Sequence, residues 1–267
     1  MISCVKKLSL MMFLIFILFF AGCVDKKDDT DVGVLDLGAN GSGDDGDERT
    51  INDIECVLVK AGTFTMGSPT SEAGREGDET PHTVALTKDF WISKYPITQA
   101  QYRAVTGGDP SYFSGDDNPV ESVTWIQANS FAQSIGGRLP TEAQWEFAAR
   151  GANLSNGYNI YSGSNNLDEV GWYKDNSGGQ THPVGRKQPN ELGIYDMTGN
   201  VWEWCGDWYG KYPTGAVNPT GPNAGDRRVL RGGGCNALAQ YSRIAIRYTI
   251  SSDSRNYVGF RVAFPRN

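Results

Sequence analysis

Gly193-Ile194-Tyr195-Asp196-Met197-Thr198-Gly199-Asn200-Val201-Trp202-Glu203-Trp204 is the stretch on which the fold turns. It has a companion upstream in Gly137-Arg138-Leu139-Pro140-Thr141-Glu142-Ala143-Gln144-Trp145-Glu146-Phe147-Ala148-Ala149-Arg150. Trp145, Trp202 and Trp204, with Trp208 just beyond, are large apolar bodies carrying N–H handles. They suit a core that is short of regular sheet. In the upstream phrase Thr141 precedes Gln144 by three residues, and the same spacing recurs at Thr98/Gln101 and Thr124/Gln127. This is a capping box, in which the hydroxyl accepts from a backbone N–H of the first turn and the amide reaches back to the cap. It predicts three helix starts, with Gly107, Gly136 and Gly151 as stops. Glu142 and Glu146 share a helix face with Arg150 in reach, which reads as a structural ion pair, solvated or half-buried, rather than acid–base machinery. Cys56 to Val59 and Gly62 to Met66 read as a hairpin pair, and Thr83 to Trp91 as a further strand.

With Arg228-Val229-Leu230-Arg231-Gly232-Gly233 and Gly259-Phe260-Arg261-Val262, these phrases closely resemble the formylglycine-generating-enzyme (sulfatase-modifying factor) family. The resemblance runs from Val57 to Phe264. It implies an α+β, C-type-lectin-like fold: short antiparallel sheets, two principal helices and much irregular chain. It also overlays a calcium site of the family's oxidase branch on the Asp196 and Glu203 side chains and the Gly199 and Val201 carbonyls, a set of hard oxygen ligands suited to that ion. No other cofactor is expected, and none is required. The oxidases hold copper through two cysteines five residues apart, just after the Arg-Gly-Gly phrase. Here those places are Ala237 and Ser242, and neither can supply the thiolate that soft Cu(I) demands. Cys235 stands two residues from the first of them without a partner. His82 and His182 are not spaced as a ligand pair and read as scaffold histidines.

The ends of the chain carry a different message. Lys6 and Lys7 precede an apolar run from Leu8 to Phe20, too short to span a membrane as a helix. Phe20-Ala21-Gly22-Cys23 then resembles a bacterial lipobox, so residues 1–22 are expected to be a lipoprotein signal peptide and Cys23 the lipidated residue. A cysteine bearing several acyl chains anchors stably, unlike a single chain. Residues 23–50 read as a disordered acidic tether, since nine acidic residues against three basic ones bury too little apolar surface to offset chain entropy. That segment carries most of the formal charge of −7. Residues 51–267 form the folded domain, and nothing in their charge points to nucleic acid. Three further cysteines, Cys56, Cys205 and Cys235, give no metal or redox spacing, and the sequence leaves open whether any two bridge.

Residues 234–257, GCNALAQYSRIAIRYTISSDSRNY, contain no Lys, Glu, Met or Trp, although the four types together make up 25 of the 183 residues from Ile51 to Gly233. The residue types present are nearly all those reached by altering the adenines of an AAC asparagine codon; Gln240 needs another codon. With the lipobox and tether, this composition resembles the variable surface lipoproteins of treponemes, whose C-terminal ends are rewritten by diversity-generating retroelements. A polar loop region of no special origin is the plainer alternative. On the variable-region reading the ligand contacts are Asn236, Ala237, Leu238, Gln240, Tyr241, Ser242, Ala245, Ile246, Tyr248, Thr249, Ile250, Ser252, Asp253, Asn256 and Tyr257. Arg243, Arg247 and Arg255 are fixed framework. The Tyr, Ser and Asn content matches what binding loops use for contact area at low entropic cost. The expectation is a monomeric, non-catalytic ligand-binding protein, lipid-anchored in a bacterial cell envelope at the outer surface. Its partner is a macromolecule on host or other bacterial cells. The competing readings are a modifying factor or accessory protein that works without the copper pair, and a purely structural envelope protein.

Overall fold

Each predicted capping box starts a helix. Thr98, Thr124 and Thr141 accept from the backbone N–H three residues on, and Gln101, Gln127 and Gln144 return the bond. The helices are α1 (Gln99–Thr106), α2 (Trp125–Ser134) and α3 (Glu142–Ala149), with a short α4 (Leu167–Val170) behind them. Three helices of similar length replace the two principal ones implied by the resemblance. Gly107 closes α1 in the left-handed region, and Gly136 and Gly151 turn the chain just after α2 and α3. The structure, a computed structural model, describes residues 43–266. The signal peptide, Cys23 and residues 24–42 of the tether lie outside the described residues.

Eleven short strands among the described residues form three sheets. The first joins β1 (Glu48–Ile51), β2 (Ile54–Val59), β5 (Phe90–Ser93) and β11 (Ala263–Pro265), all antiparallel. A second joins β3 (Gly62–Met66), β4 (His82–Leu86) and β7 (Gly215–Val217). The third runs in the order β10 (Val258–Gly259), β6 (Trp202–Trp208), β8 (Arg228–Arg231), β9 (Tyr248–Ile250). Pairing is antiparallel except β4 with β7 and β10 with β6. The architecture is the expected α+β, C-type-lectin-like one.

Three boundaries differ from expectation. The expected hairpin of β2 and β3 does not form. Cys56 to Val59 are buried on both faces, and β2 has both edges taken by β1 and β5, whereas β3 alternates and pairs with β4. The strand expected from Thr83 to Trp91 is two, β4 and β5, in different sheets. The chain turns between them, where Asn218 accepts from Thr87 N and Asp89 from Ala61 N. The end of the acidic tether belongs to the fold. Glu48 to Ile51 pair with β2, Gly46 N bonds Leu58 O at 3.0 Å, and Asp45 accepts from Lys60 N at 2.6 Å.

The β10–β6–β8–β9 sheet separates two apolar clusters, because successive residues of a strand point to opposite faces. Cys205 and Val229 join Trp145, Phe147 and the β2–β5 residues on one side; Trp204, Leu230 and Val258 join Tyr102, Phe131 and Phe260 on the other. The two fully buried indoles find partners: Trp145 Nε1 donates to Glu203 at 2.6 Å and Trp204 Nε1 to Val123 O at 2.9 Å. Glu142 and Glu146 are structural, as expected, but wholly buried rather than solvated. Glu146 holds Arg150 at 2.7 Å and also Arg231, while Glu142 meets Arg231 and Arg247.

Candidate ligand-binding groove

The block of residues 234–257 follows the end of β8 at two glycines with positive φ, Gly232 at 93° and Gly233 at 79°. A Cβ on Gly233 would stand 2.6 Å from Ser242 Oγ and 2.8 Å from Tyr241 O, so only glycine lets the chain leave the sheet against its own return. The next residues are pinned to the Gly199-Asn200 turn. Gly199 N donates to Gly232 O at 2.7 Å and Cys235 N to Asn200 O at 2.9 Å; Ser177 Oγ and Lys174 N donate to the carbonyls of Cys235 and Ala237.

The middle of the block is framework. Arg243 is buried and donates to Glu79 at 2.6 and 2.9 Å, to Gly74 O at 2.7 Å and to Glu72. Arg247 grips Glu142 at 2.7 and 2.8 Å and lies over the Tyr212 ring at 3.9 Å. Arg231 reaches in from β8 to the Ile244 and Ala245 carbonyls. Carbonyls and guanidinia of this density hold Ser242 to Arg247 inside the protein. Ser242, Ala245 and Ile246, expected as ligand contacts, are therefore buried and correct that expectation. Ala237 is nearly closed off as well, although it reaches the groove floor. Arg243 and Arg247 are the framework residues predicted; Arg255 is exposed, and its assignment is corrected.

The rest of the block opens onto one groove of about 770 Å³. Asn236, Ala237, Tyr241, Tyr248, Ile250, Asn256 and Tyr257 line it. It lies where the second apolar cluster runs out to solvent. In register, Leu230 pairs with Tyr248 and Val258 with Trp202, so four strands present one face. Trp202 packs on Tyr248 with ring centres 5.1 Å apart. Tyr257, held at φ 52°, meets Tyr112 at 5.6 Å and Phe113 at 5.4 Å. Leu238 and Gln240 are exposed outside the lining, as is Asp253, whose Oδ1 accepts from Ser251 Oγ at 2.5 Å. Thr249 and Ser252 are half-buried and do not line it; Ser252 O accepts from Trp125 N.

Six lining residues escaped the sequence reading of the ligand contacts: Tyr112, Ser122, Trp202, Leu230, Arg255 and Val258. Trp202 was visible as a motif residue but was assigned to the core. Nothing near Tyr112 marked it, yet it is 70% exposed and its loop is fixed from below. The buried Glu121 accepts from Tyr112 N at 2.5 Å, Phe113 N at 2.9 Å and Ser122 Oγ at 2.6 Å. One wall of the groove is thus scaffold and the other comes from the block.

The calcium set does not fit. Both Glu203 oxygens are taken, by Arg261 at 2.7 and 2.9 Å and by Trp145 Nε1, which leaves no carboxylate face for a cation. Asp196 accepts from Gly185 N at 2.7 Å, and burial pushes its carboxyl up to about 6. Gly199 and Val201 sit in the same turn but gain no acidic companion. Among the described residues no group of three or more His, Cys, Asp or Glu is placed to hold a metal ion. The three cysteines are free and buried; burial pushes Cys235 up to about 11 and Cys56 to about 12, and holds Cys205 well above the ordinary thiol range. His182 stacks on Trp172 at 3.9 Å, far from the role of a ligand pair with His82.

The C-type-lectin-like scaffold is also what comparison with known proteins returns. Residues 45–265 match the sulfatase-modifying factor enzyme 1-like domain, and the chain belongs to that family. It is similar to Treponema denticola variable protein 1, with a TM-score of 0.74 and 30% identity over 82% of this chain and 99% of that one. Among curated sequences it is 36% identical over 241 residues to the chaperone protein LppX of Paenibacillus barcinonensis, covering 69% of this chain and 79% of that protein. It is 35% identical over 197 residues to the formylglycine-generating enzyme of Streptomyces coelicolor, covering 65% of this chain and 60% of the enzyme.

Proposed function

We propose that this protein is a lipid-anchored, non-catalytic binding protein of the bacterial cell surface, and that the groove over the β10–β6–β8–β9 sheet takes a macromolecular partner. The observation that carries the reading is the sorting of residues 234–257. Eight of them, Arg255 included, line one groove, while Arg243 and Arg247 between them are buried in carboxylate pairs that fix the backbone. A surface built this way tolerates exchange of its contact residues without loss of fold, which is what retroelement diversification of the block requires. Similarity to a protein named for its variability supports it. The ligand differs from one variant to another, so no chemistry of the partner follows from the scaffold.

The enzymatic alternative draws on the 35% identity to a formylglycine-generating enzyme. It lacks a nucleophile. Ala237 and Ser242 stand at the paired-cysteine positions, and the remaining thiols are held protonated by burial. Purified protein is expected to bind no stoichiometric Cu(I) and to leave the cysteine of a sulfatase-type peptide unoxidised. Aldehyde formation in that peptide would restore the enzymatic reading. For the binding reading, a partner drawn from host-cell or bacterial surface extracts should lose about 2 kcal/mol of affinity with Tyr241→Ala or Tyr248→Ala, because aromatic anchors dominate such interfaces. Unchanged affinity in both variants places the interface elsewhere.

A further inference from the structure

A second cavity, of about 500 Å³, lies away from the groove, between α3, β6 and the Gly- and Pro-rich stretch 210–222. At its inner end is His82 on β4, 8% exposed. Its Nδ1 lies 3.0 Å from Thr80 O, and a carbonyl only accepts, so Nδ1 carries the proton, and the neutral form of such a ring presents a bare lone pair at Nε2. Nε2 is closed to solvent and makes no hydrogen bond. A buried polar atom left without a partner is costly, and each such atom asks for an explanation.

The charged groups around the ring are already satisfied. Glu142, on α3, is held by Arg247 and Arg231 and accepts from Tyr212 Oη at 3.1 Å. Asp207, on β6, accepts from Glu142 N at 2.9 Å, and burial beside Glu142 pushes its carboxyl up to about 7. Lys211 stands exposed at the mouth. The outer wall is apolar, with Pro213, Pro222 and Val217. Tyr212 lies against the imidazole with ring centres 4.4 Å apart and planes tilted by 40°, and because Nε2 is closed to solvent the lining must shift for a ligand to reach it. Among the side chains that line the cavity, His82 Nε2 is the buried polar atom left without a hydrogen bond. A cavity of this size, with polar and apolar lining in comparable measure, has room for a small molecule.

We infer that this cavity binds a small, uncharged molecule with an apolar body and one O–H or N–H donor, which it gives to His82 Nε2. None of the groove's lining residues lines this cavity, so its ligand stays the same when they are exchanged and Arg247, the residue of 234–257 in its lining, is kept.

Phenol, indole and anisole are the probes, the last having the shape of phenol without its donor. They are titrated into the folded domain at about pH 8, above the ordinary imidazole range, while the ¹⁵N signals of the histidine rings are followed. Phenol or indole should bind saturably and move His82 Nε2 toward its hydrogen-bonded position, with anisole about tenfold weaker. His82→Phe should weaken phenol about tenfold. Val217→Trp, at an exposed position of the outer wall, should close the mouth and abolish binding without touching His82. A groove variant such as Tyr248→Ala should bind phenol unchanged. The inference is overturned if neither donor probe saturates, if anisole binds as well as phenol, or if Nε2 keeps one position throughout because water alone satisfies it. Should His82→Phe fail to fold, the anisole comparison and Val217→Trp decide on their own.

Discussion

The arginines show most sharply how single residues divide the work in this molecule. Breaking a buried ion pair from one side strands the other charge and costs about 3–5 kcal/mol. Arg243→Ala leaves Glu72 and Glu79 without their cation, so its melting temperature should fall steeply, whereas Tyr248→Ala, at a site 47% exposed, should leave it nearly unchanged. Thermal denaturation of the two variants side by side checks the division; equal sensitivity would make the block core. Asp207 gives a pH signature. Its folded-state carboxyl is pushed up to about 7 from an ordinary 3.8, so its contribution is present in full below pH 4 and lost as pH rises to 7. Asp207→Asn removes that dependence. Denaturant titrations should therefore show the variant gaining on the parent between pH 4 and 7, by roughly 3–5 kcal/mol at most, and holding level above 7. A difference constant with pH would mean that Asp207 is ionised throughout.

Among the elements, the helices were legible in the sequence and the strand pairings were not. A capping box is local, with donor and acceptor three residues apart, so Thr98, Thr124 and Thr141 announce themselves. Replacing Thr141 by Ala should cost about 1 kcal/mol in chemical denaturation, with helix α3 losing amide protection first. Strand pairing depends on what lies far along the chain. β2 and β3 are separated by two residues yet enter different sheets, because β5 and β1 claim both edges of β2. The same limit applied to the block. Composition marked residues 234–257 as unusual, but only partners as distant as Glu72, Glu79 and Glu142 separate the buried Ser242, Ala245 and Ile246 from the half-buried Tyr241 and the exposed Tyr248. The groove's fixed wall at Tyr112 was invisible for that reason too. Backbone contact at Gly199 is a further element-scale constraint. At φ 78° a Cβ there would collide with the Trp172 backbone, so Gly199→Ala should unfold the turn that carries Cys235 and Asn236, seen as loss of the Trp near-ultraviolet signal.

At the scale of the whole molecule, the proposed design sets exchangeable groove residues on a fixed scaffold, and that scaffold is a sulfatase-modifying factor enzyme 1-like domain. No helix among the described residues is long and apolar enough to cross a membrane, so the proposed anchorage rests on Cys23. Cys23→Ala should leave uncleaved precursor and abolish partition into the detergent phase. Partition of the variant as a mature lipoprotein would remove the anchor from the account. The central claim is that contact residues and framework residues are interleaved but energetically separate, and one exchange experiment tests it. Asn236, Leu238, Gln240, Tyr241, Tyr248, Asn256 and Tyr257 are replaced together by a different set, with Arg243, Arg247 and the buried residues between them kept. The melting temperature of the exchanged protein and its binding to the parent's partner are then measured. The account predicts a melting temperature within a few degrees of the parent and loss of that partner; retained binding, or a collapsed melting temperature, would contradict it.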